Sequence, residues 1–122
     1  MLEEITGYLE LGLWQEANDL IEALPSHTKI SPAVLVLRIS IYQAAGSWEL
    51  MAEATRLLTT VKPENPLHWL KYPQATLYVE GLPPSLKILE TAARRFPQNA
   101  EVLYAFSSEI ENGTARRSQG AP

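Results

Sequence analysis

The feature that most restricts what this chain can become is a punctuation mark written twice. Gly12-Leu13-Trp14 and Gly46-Ser47-Trp48 share the order glycine, any residue, tryptophan, and stand 34 residues apart. Helix-start signals keep the same interval. Ser31, Asn65 and Asn99 are spaced by 34 and 34, and each can accept a hydrogen bond from the free N–H groups of a following first turn. Pro32 and Pro66 come directly after two of them, where a missing N–H costs nothing. Tyr8 and Tyr42 repeat in the same phase.

Between these marks the apolar residues follow a helical period. Ala17, Leu20, Ile21 and Leu24 share one face, as do Leu50, Ala54, Leu57, Leu58 and Val61, and again Leu86, Leu89, Ala93 and Phe96. Stops fall at Pro25, Lys62-Pro63 and Phe96-Pro97, because proline disfavours helical geometry in the residue before it. The pattern predicts seven helices, at roughly 2–11, 14–24, 32–45, 48–62, 66–80, 83–96 and 99–112. A helix pair recurring at this period marks an α-solenoid, since one hairpin cannot bury both its apolar faces and needs a neighbour. Gly12 and Gly46 then lie at the tight turn inside each pair. Trp14 and Trp48 open the second helix and wedge into the hairpin, with Tyr8 and Tyr42 filling the matching slot of the first.

On these residues the chain resembles the tetratricopeptide repeat family. "YLELGLWQEANDLIEAL" is similar to the stretch in which an aromatic, a glycine, a second aromatic and a small residue mark that family's helix turn. "SPAVLVLRISIYQAAGSWELMAEATRLLTTVKP" resembles a complete repeat, and "NPLHWLKYP" with "EGLPPSLKILETAARRFP" a third. "NAEVLYAFSSEIENG" resembles the first helix of a fourth, with Leu103, Phe106, Ser107 and Ile110 in the family's large, large, small, large spacing. The resemblance implies an all-α fold of the α-α superhelix kind, a right-handed solenoid of stacked antiparallel hairpins. Its repeats would run over about 1–31, 32–64 and 65–98, followed by a capping half-repeat at 99–113 and a flexible tail at 114–122.

Several positions depart from the family pattern. The small residue early in the second helix is Ala17 in the first repeat but reads as Met51 and Leu86 in the next two, which should spread or rotate the paired helices. Gly81 follows Gly46 by 35 residues, which reads as one residue added between Asn65 and Gly81. Pro73 sits in that interval. An interior proline costs about 3 kcal/mol and frees a carbonyl, so a kink or helix break is expected near residues 69–73. Tyr104 and Phe106 should pack onto the third hairpin or contact another chain.

Composition narrows the function classes. There is no cysteine, which excludes disulfides, thiolate metal sites and a cysteine nucleophile. Fourteen acidic against ten basic residues give a net charge of -4, a sign with no general attraction for phosphate backbones or anionic membranes. No nucleic-acid or membrane partner is expected. Glu3, Glu4, Glu10, Glu16, Asp19 and Glu22 all precede the first base, Lys29, and read as a solvated helical face or as a docking surface for a basic partner. The opening "MLEEIT" is acidic where a secretory signal is basic, and the aliphatic run "AVLVL" stops at Arg38, far short of a membrane span. The expected location is the cytoplasm.

Catalytic groups do not converge. His27 adjoins Ser26, but adjacent side chains rarely face one another and the sole aspartate, Asp19, lies in the preceding helix. His68 has no second ligand four residues on. The six glycines form no phosphate-binding loop. Arg94-Arg95 suits a helix C-terminus, and with Arg116-Arg117 makes no nucleic-acid stripe. The expectation is a non-enzymatic chain with no cofactor and no metal.

The resemblance also implies a binding groove, lined by the first helix of each pair. The family's groove positions fall on Thr6, Leu9 and Glu10, then on Ala33, Val36, Ser40, Gln43 and Ala44, then on Leu70, Gln74 and Tyr78. These residues are mostly small and weakly polar. Lys71 is the sole nearby base, so the lysine and arginine clamp that some relatives use for a C-terminal carboxylate is missing. The implied partner is a protein that offers an apolar or helical peptide segment. The alternative is a small chaperone or assembly subunit that forms a homodimer, or docks, through an apolar end face.

Overall fold

A computed structural model describes the backbone of residues 2–120 and the side chains of residues 2–112. Among those residues the fold is all-α, without a strand. Its helices are α1 (Leu2–Glu10), α2 (Trp14–Glu22), the single-turn α3 (Ser26–Lys29), α4 (Pro32–Ala45), α5 (Trp48–Val61), α6 (His68–Glu80), α7 (Leu82–Arg95) and α8 (Ala100–Gly120). The chain divides into two compact units, Met1–Lys62 and Pro63–Pro122.

In the first unit α1 pairs with α2 and α4 with α5, while α4 also lies against α1 and α2. Ile5, Ala17, Ile21, Leu24, Val34 and Ile41 are buried together, with Trp14, Leu37 and Tyr42 packed around them. Both hairpins turn in the same way. Gly12 and Gly46 have φ of 78° and 71°. The next residue's N–H reaches back over the glycine, from Leu13 to the Tyr8 carbonyl and from Ser47 to the Tyr42 carbonyl, each at 2.8 Å. This Schellman-type closure needs a left-handed residue, which favours glycine. Trp14 and Trp48 are the first residues of α2 and α5, as the spacing predicts. The tyrosines differ: Tyr42 packs on the core, whereas Tyr8 stands exposed and does not fill the matching slot.

The helical turn α3 replaces an expected loop. Pro25 stops α2, and its carbonyl then accepts the N–H groups of Thr28 and Lys29 at 2.9 and 3.1 Å, starting a new turn. Four residues are too few to carry an apolar period, so no pattern announces it. Ser31 caps α4 as read from the sequence, its Oγ accepting from the Val34 N–H at 3.4 Å.

In the second unit α6 packs on α7, and α8 packs on both. The Pro63 carbonyl accepts from Trp69 Nε1 at 2.9 Å and from Arg95 Nε at 3.1 Å. These two bonds fasten the start of α6 to the end of α7. Asn99 accepts the Val102 N–H at 3.0 Å and caps α8. Asn65 does not act as a helix cap. Its Oδ1 takes the Leu67 N–H at 3.0 Å, and the N–H groups of His68, Trp69 and Leu70 bond to carbonyls three residues back. This tight 3₁₀-like turn delays α6 to His68, two residues later than expected.

Two readings around Pro73 are corrected. Of the kink or break expected near residues 69–73, the break is not found: α6 is continuous from His68 to Glu80. Pro73 is the sixth residue of α6, so the carbonyl left without its i+4 N–H is that of Trp69, in the first turn. Pro73 is itself buried, and its carbonyl accepts the buried Ser85 Oγ–H at 2.9 Å.

The second correction concerns register. Buried positions hold a spacing of 34 across all three repeats: Ala17, Met51 and Ser85; Ile21, Thr55 and Leu89; Leu24, Leu58 and Ala92. No residue is added in the third repeat. The small residue there is Ser85, not Leu86, and what moves is the glycine. α6 runs one residue further, so Glu80 stands where Gly46 stands in the repeat before. Gly81 then turns with φ 96° and ψ -174°, and α7 begins at once with Leu82. The buried threonines satisfy themselves locally: Thr55 donates to the Ala52 carbonyl, Thr59 to Thr55 and Thr76 to Tyr72, at 2.9–3.1 Å.

Chain exits repeat as well. Lys62 (φ -138°, ψ 63°) and Phe96 (φ -124°, ψ 65°) leave their helices with nearly the same backbone, each N–H bonded four residues back, and each is followed by proline. At the C-terminus, α8 continues to Gly120, through positions where the sequence suggests a tail from residue 114. The side chains of residues 113–120, and residues 121–122 altogether, lie outside the described residues. Tyr104 is exposed and Phe106 half-buried.

Candidate interaction surfaces

The groove positions read from the sequence occupy equivalent places on successive first helices. Thr6, Ser40 and Gln74 are exposed and 34 apart, and so are Glu10, Ala44 and Tyr78. Val36 and Ala33 are exposed, while Leu9, Gln43 and Leu70 are half-buried. α1 and α4 touch, which brings Thr6, Leu9 and Glu10 onto the helix adjoining the one that carries Ala33 to Ala44. Leu70, Gln74 and Tyr78 lie on α6 in the second unit. The hydroxyls of Thr6 and Ser40 donate to carbonyls of their own helices, Leu2 and Val36, at 3.0 and 3.3 Å. Toward a ligand they therefore present weak acceptors, beside the apolar surface of Val36 and Tyr78.

A second surface escapes the sequence reading. Between α3, α4 and α5 lies a cleft of about 430 Å³. Leu35 and Ala54 are buried against it, and Ile30, Leu50 and Leu57 stand exposed around it. Its charged rim holds Lys29, Arg38 and Arg56 against a single carboxylate, Glu53. Arg38 is fixed by Glu22 at 2.9 Å and by the Tyr42 hydroxyl at 3.0 Å, and Lys29 reaches Glu22 at 3.5 Å.

These contacts shift two ionisations. Hydrogen bonding to Arg38, then its charge, holds the Glu22 carboxyl below its ordinary 4.5, with Lys29 adding less. Burial opposes the charge on Arg38, but the hydrogen bonds from Glu22 and Tyr42 outweigh it and leave that guanidinium raised. Because the folded-state value for Glu22 is depressed, its contribution to stability is fully present above the unfolded value and is lost as pH falls through the folded one. Glu22→Gln is expected to lower stability at pH 7 by less than about 1 kcal/mol, since Glu22 is half exposed. Urea melts at stepwise lower pH should show that difference shrinking once the pH drops below 4.5.

The second unit repeats this cleft in smaller form, about 340 Å³. Trp69, Tyr72, Pro84, Lys87, Ile88 and Thr91 line it, in the slots that Leu35, Arg38, Leu50, Glu53, Ala54 and Leu57 hold 34 residues earlier. Side-chain size differs in both directions: Trp69 and Ile88 are larger than Leu35 and Ala54, whereas Pro84 and Thr91 are smaller than Leu50 and Leu57.

Arg94 pairs with Glu90 one turn earlier on α7. His27 is exposed on α3, and no hydrogen bond joins it to Ser26. His68 Nε2 lies 3.4 Å from Asn65 Nδ2 in the turn before α6. Among the described residues no three histidine or carboxylate side chains gather where they could hold a metal ion, and no helix is long and apolar enough to cross a membrane. No family model, curated protein or solved structure matches the chain.

Proposed function

We propose that this chain is a non-enzymatic, tetratricopeptide-like protein-interaction module that works in the cytoplasm. Its repeats continue as an α-α superhelix, and the first helices present a groove to a peptide or helix of a protein partner. One observation supports the reading above the others. Thr6, Ser40 and Gln74 stay exposed at the same 34-residue interval at which Ala17, Met51 and Ser85 are buried. In the first unit, where α1 lies against α4, Thr6 and Ser40 stand on adjoining helices, as a surface built by repetition requires.

Selection of peptides from a random display library provides the test. The expected binders are apolar or helical segments whose affinity falls about tenfold with Ser40→Arg or Gln74→Arg. Their amide shift changes should centre on α1, α4 and α6. Failure to select any peptide, or binders indifferent to both substitutions, would overturn the proposal.

A second reading, assembly through an end face, draws on α8. Leu103, Tyr104 and Ile110 are all exposed there, Tyr104 at 76%. Exposed apolar groups of this kind suit a subunit that docks onto a larger complex or holds a client chain.

A further inference from the structure

The first unit carries both a hole and a knob that matches it. The hole is the cleft between α3, α4 and α5. It is apolar within, through Leu35, Ala54 and Leu57, and carries three bases against one acid at its rim, on a chain whose net charge is -4. The corresponding cleft of the next repeat is smaller. The knob is the α1–α2 turn. Leu11 there is 74% exposed and Leu13 40%, an apolar pair at a tight corner with Glu10 and Glu16, both exposed, on either side.

No base occurs in the chain before Lys29, so this knob carries only negative charge. Two groups on the cleft rim, Arg38 and Lys29, share Glu22. Arg56 has no ion pair among the described residues, and it is the cation available to an incoming carboxylate. Apolar tip to apolar floor and acid to base, the two surfaces are complementary in both respects.

We propose that the cleft between α3, α4 and α5 receives the α1–α2 turn of a second copy of this chain, with Leu11 and Leu13 seated inside and Glu10 or Glu16 paired with Arg56. Knob and hole are different patches, so the contact is heterologous: each copy offers one of each, and the assembly grows head to tail or closes into a ring. The contact leaves α8 free and meets the peptide groove only at Glu10, at its edge; it is argued from observations separate from those behind the function proposed above.

Sedimentation velocity across a rising concentration series tests it. Wild-type chain is expected to form species larger than a monomer, weakened by added salt. Leu11→Asp spoils the knob and Arg56→Glu the rim of the hole. Both residues are exposed, and circular dichroism should confirm unchanged helix content. Each variant alone should dissociate about tenfold more readily or worse. Mixed in equal amounts, the two should give a dimer and nothing larger, because the intact knob of one meets the intact hole of the other. A wild-type chain that stays monomeric at every concentration, a mixture that stays monomeric, or a dimer unaffected by both substitutions would each overturn the proposal.

Discussion

Ile21→Ala should lower the unfolding free energy of the chain by about 2–5 kcal/mol, the range for emptying a fully buried aliphatic position. Ile21 has no exposed surface and sits among Ile5, Ala17, Leu24, Val34 and Ile41. Leu89→Ala, one slot-equivalent in the second unit, should cost a similar amount, since Leu89 is also buried. The position between them gives a control. Thr55 occupies the same slot, fully buried, with its hydroxyl donating to the Ala52 carbonyl of its own helix. Thr55→Val keeps the shape, removes a buried polar atom and frees a carbonyl already on the helix ladder, so its effect should stay within about 1 kcal/mol of zero. Urea denaturation followed by far-ultraviolet circular dichroism measures all three. A large loss for Thr55→Val together with small losses for the other two would mean that the 34-residue slots are not equivalent.

Asparagine should separate the glycine turns into two kinds. Gly46 is left-handed, at φ 71° and ψ 21°, a region asparagine enters with little strain. Gly46→Asn is therefore expected to cost under about 1 kcal/mol. Gly81, at φ 96° and ψ -174°, occupies a region that is essentially closed to other residues, and Gly81→Asn should cost about 1–3 kcal/mol. Nothing lies within 4 Å of the place a Cβ would take at either glycine, so the difference reports backbone strain without a steric contribution. Equal losses at the two sites, measured by the same melts, would contradict the assignment of distinct turns.

How far the sequence could be read depended on whether a signal was local. Ser31 and Asn99 announced helix starts because capping needs only a side-chain oxygen within reach of the next turn's N–H groups. Trp14, Trp48, Gly12 and Gly46 gave the hairpins for the same reason. Asn65 looked identical to the other caps, yet its oxygen went to a tighter turn, beside a Pro63 carbonyl that accepts from Trp69 and from the distant Arg95. Pro73 was read as a kink or break because its cost inside a helix is local; the helix runs on through it, with Pro73 buried and its carbonyl accepting the Ser85 hydroxyl from the next helix. Following the glycine made the third repeat look one residue too long. Following the buried residues restores the period, because packing fixes phase more firmly than any turn. Of the groove positions read from the sequence, Thr6, Ser40 and Gln74, like Glu10, Ala44 and Tyr78, are exposed at the 34-residue period, whereas Leu9, Gln43 and Leu70 are half-buried. The larger cleft was not legible, since its lining comes from three helices, α3, α4 and α5, and the first of these carries no apolar period.

The matched exits at Lys62 and Phe96 bear on how such a chain can be lengthened or shortened. Both leave their helix with nearly the same dihedral angles and the same hydrogen bond, and both hand over to proline. A tandem copy of the stretch from Pro63 to Phe96, joined after Phe96, would meet at its new junction the same backbone it has at its old one. Gene duplication or a deliberate splice could thus add a cassette at this joint without inventing a new linker.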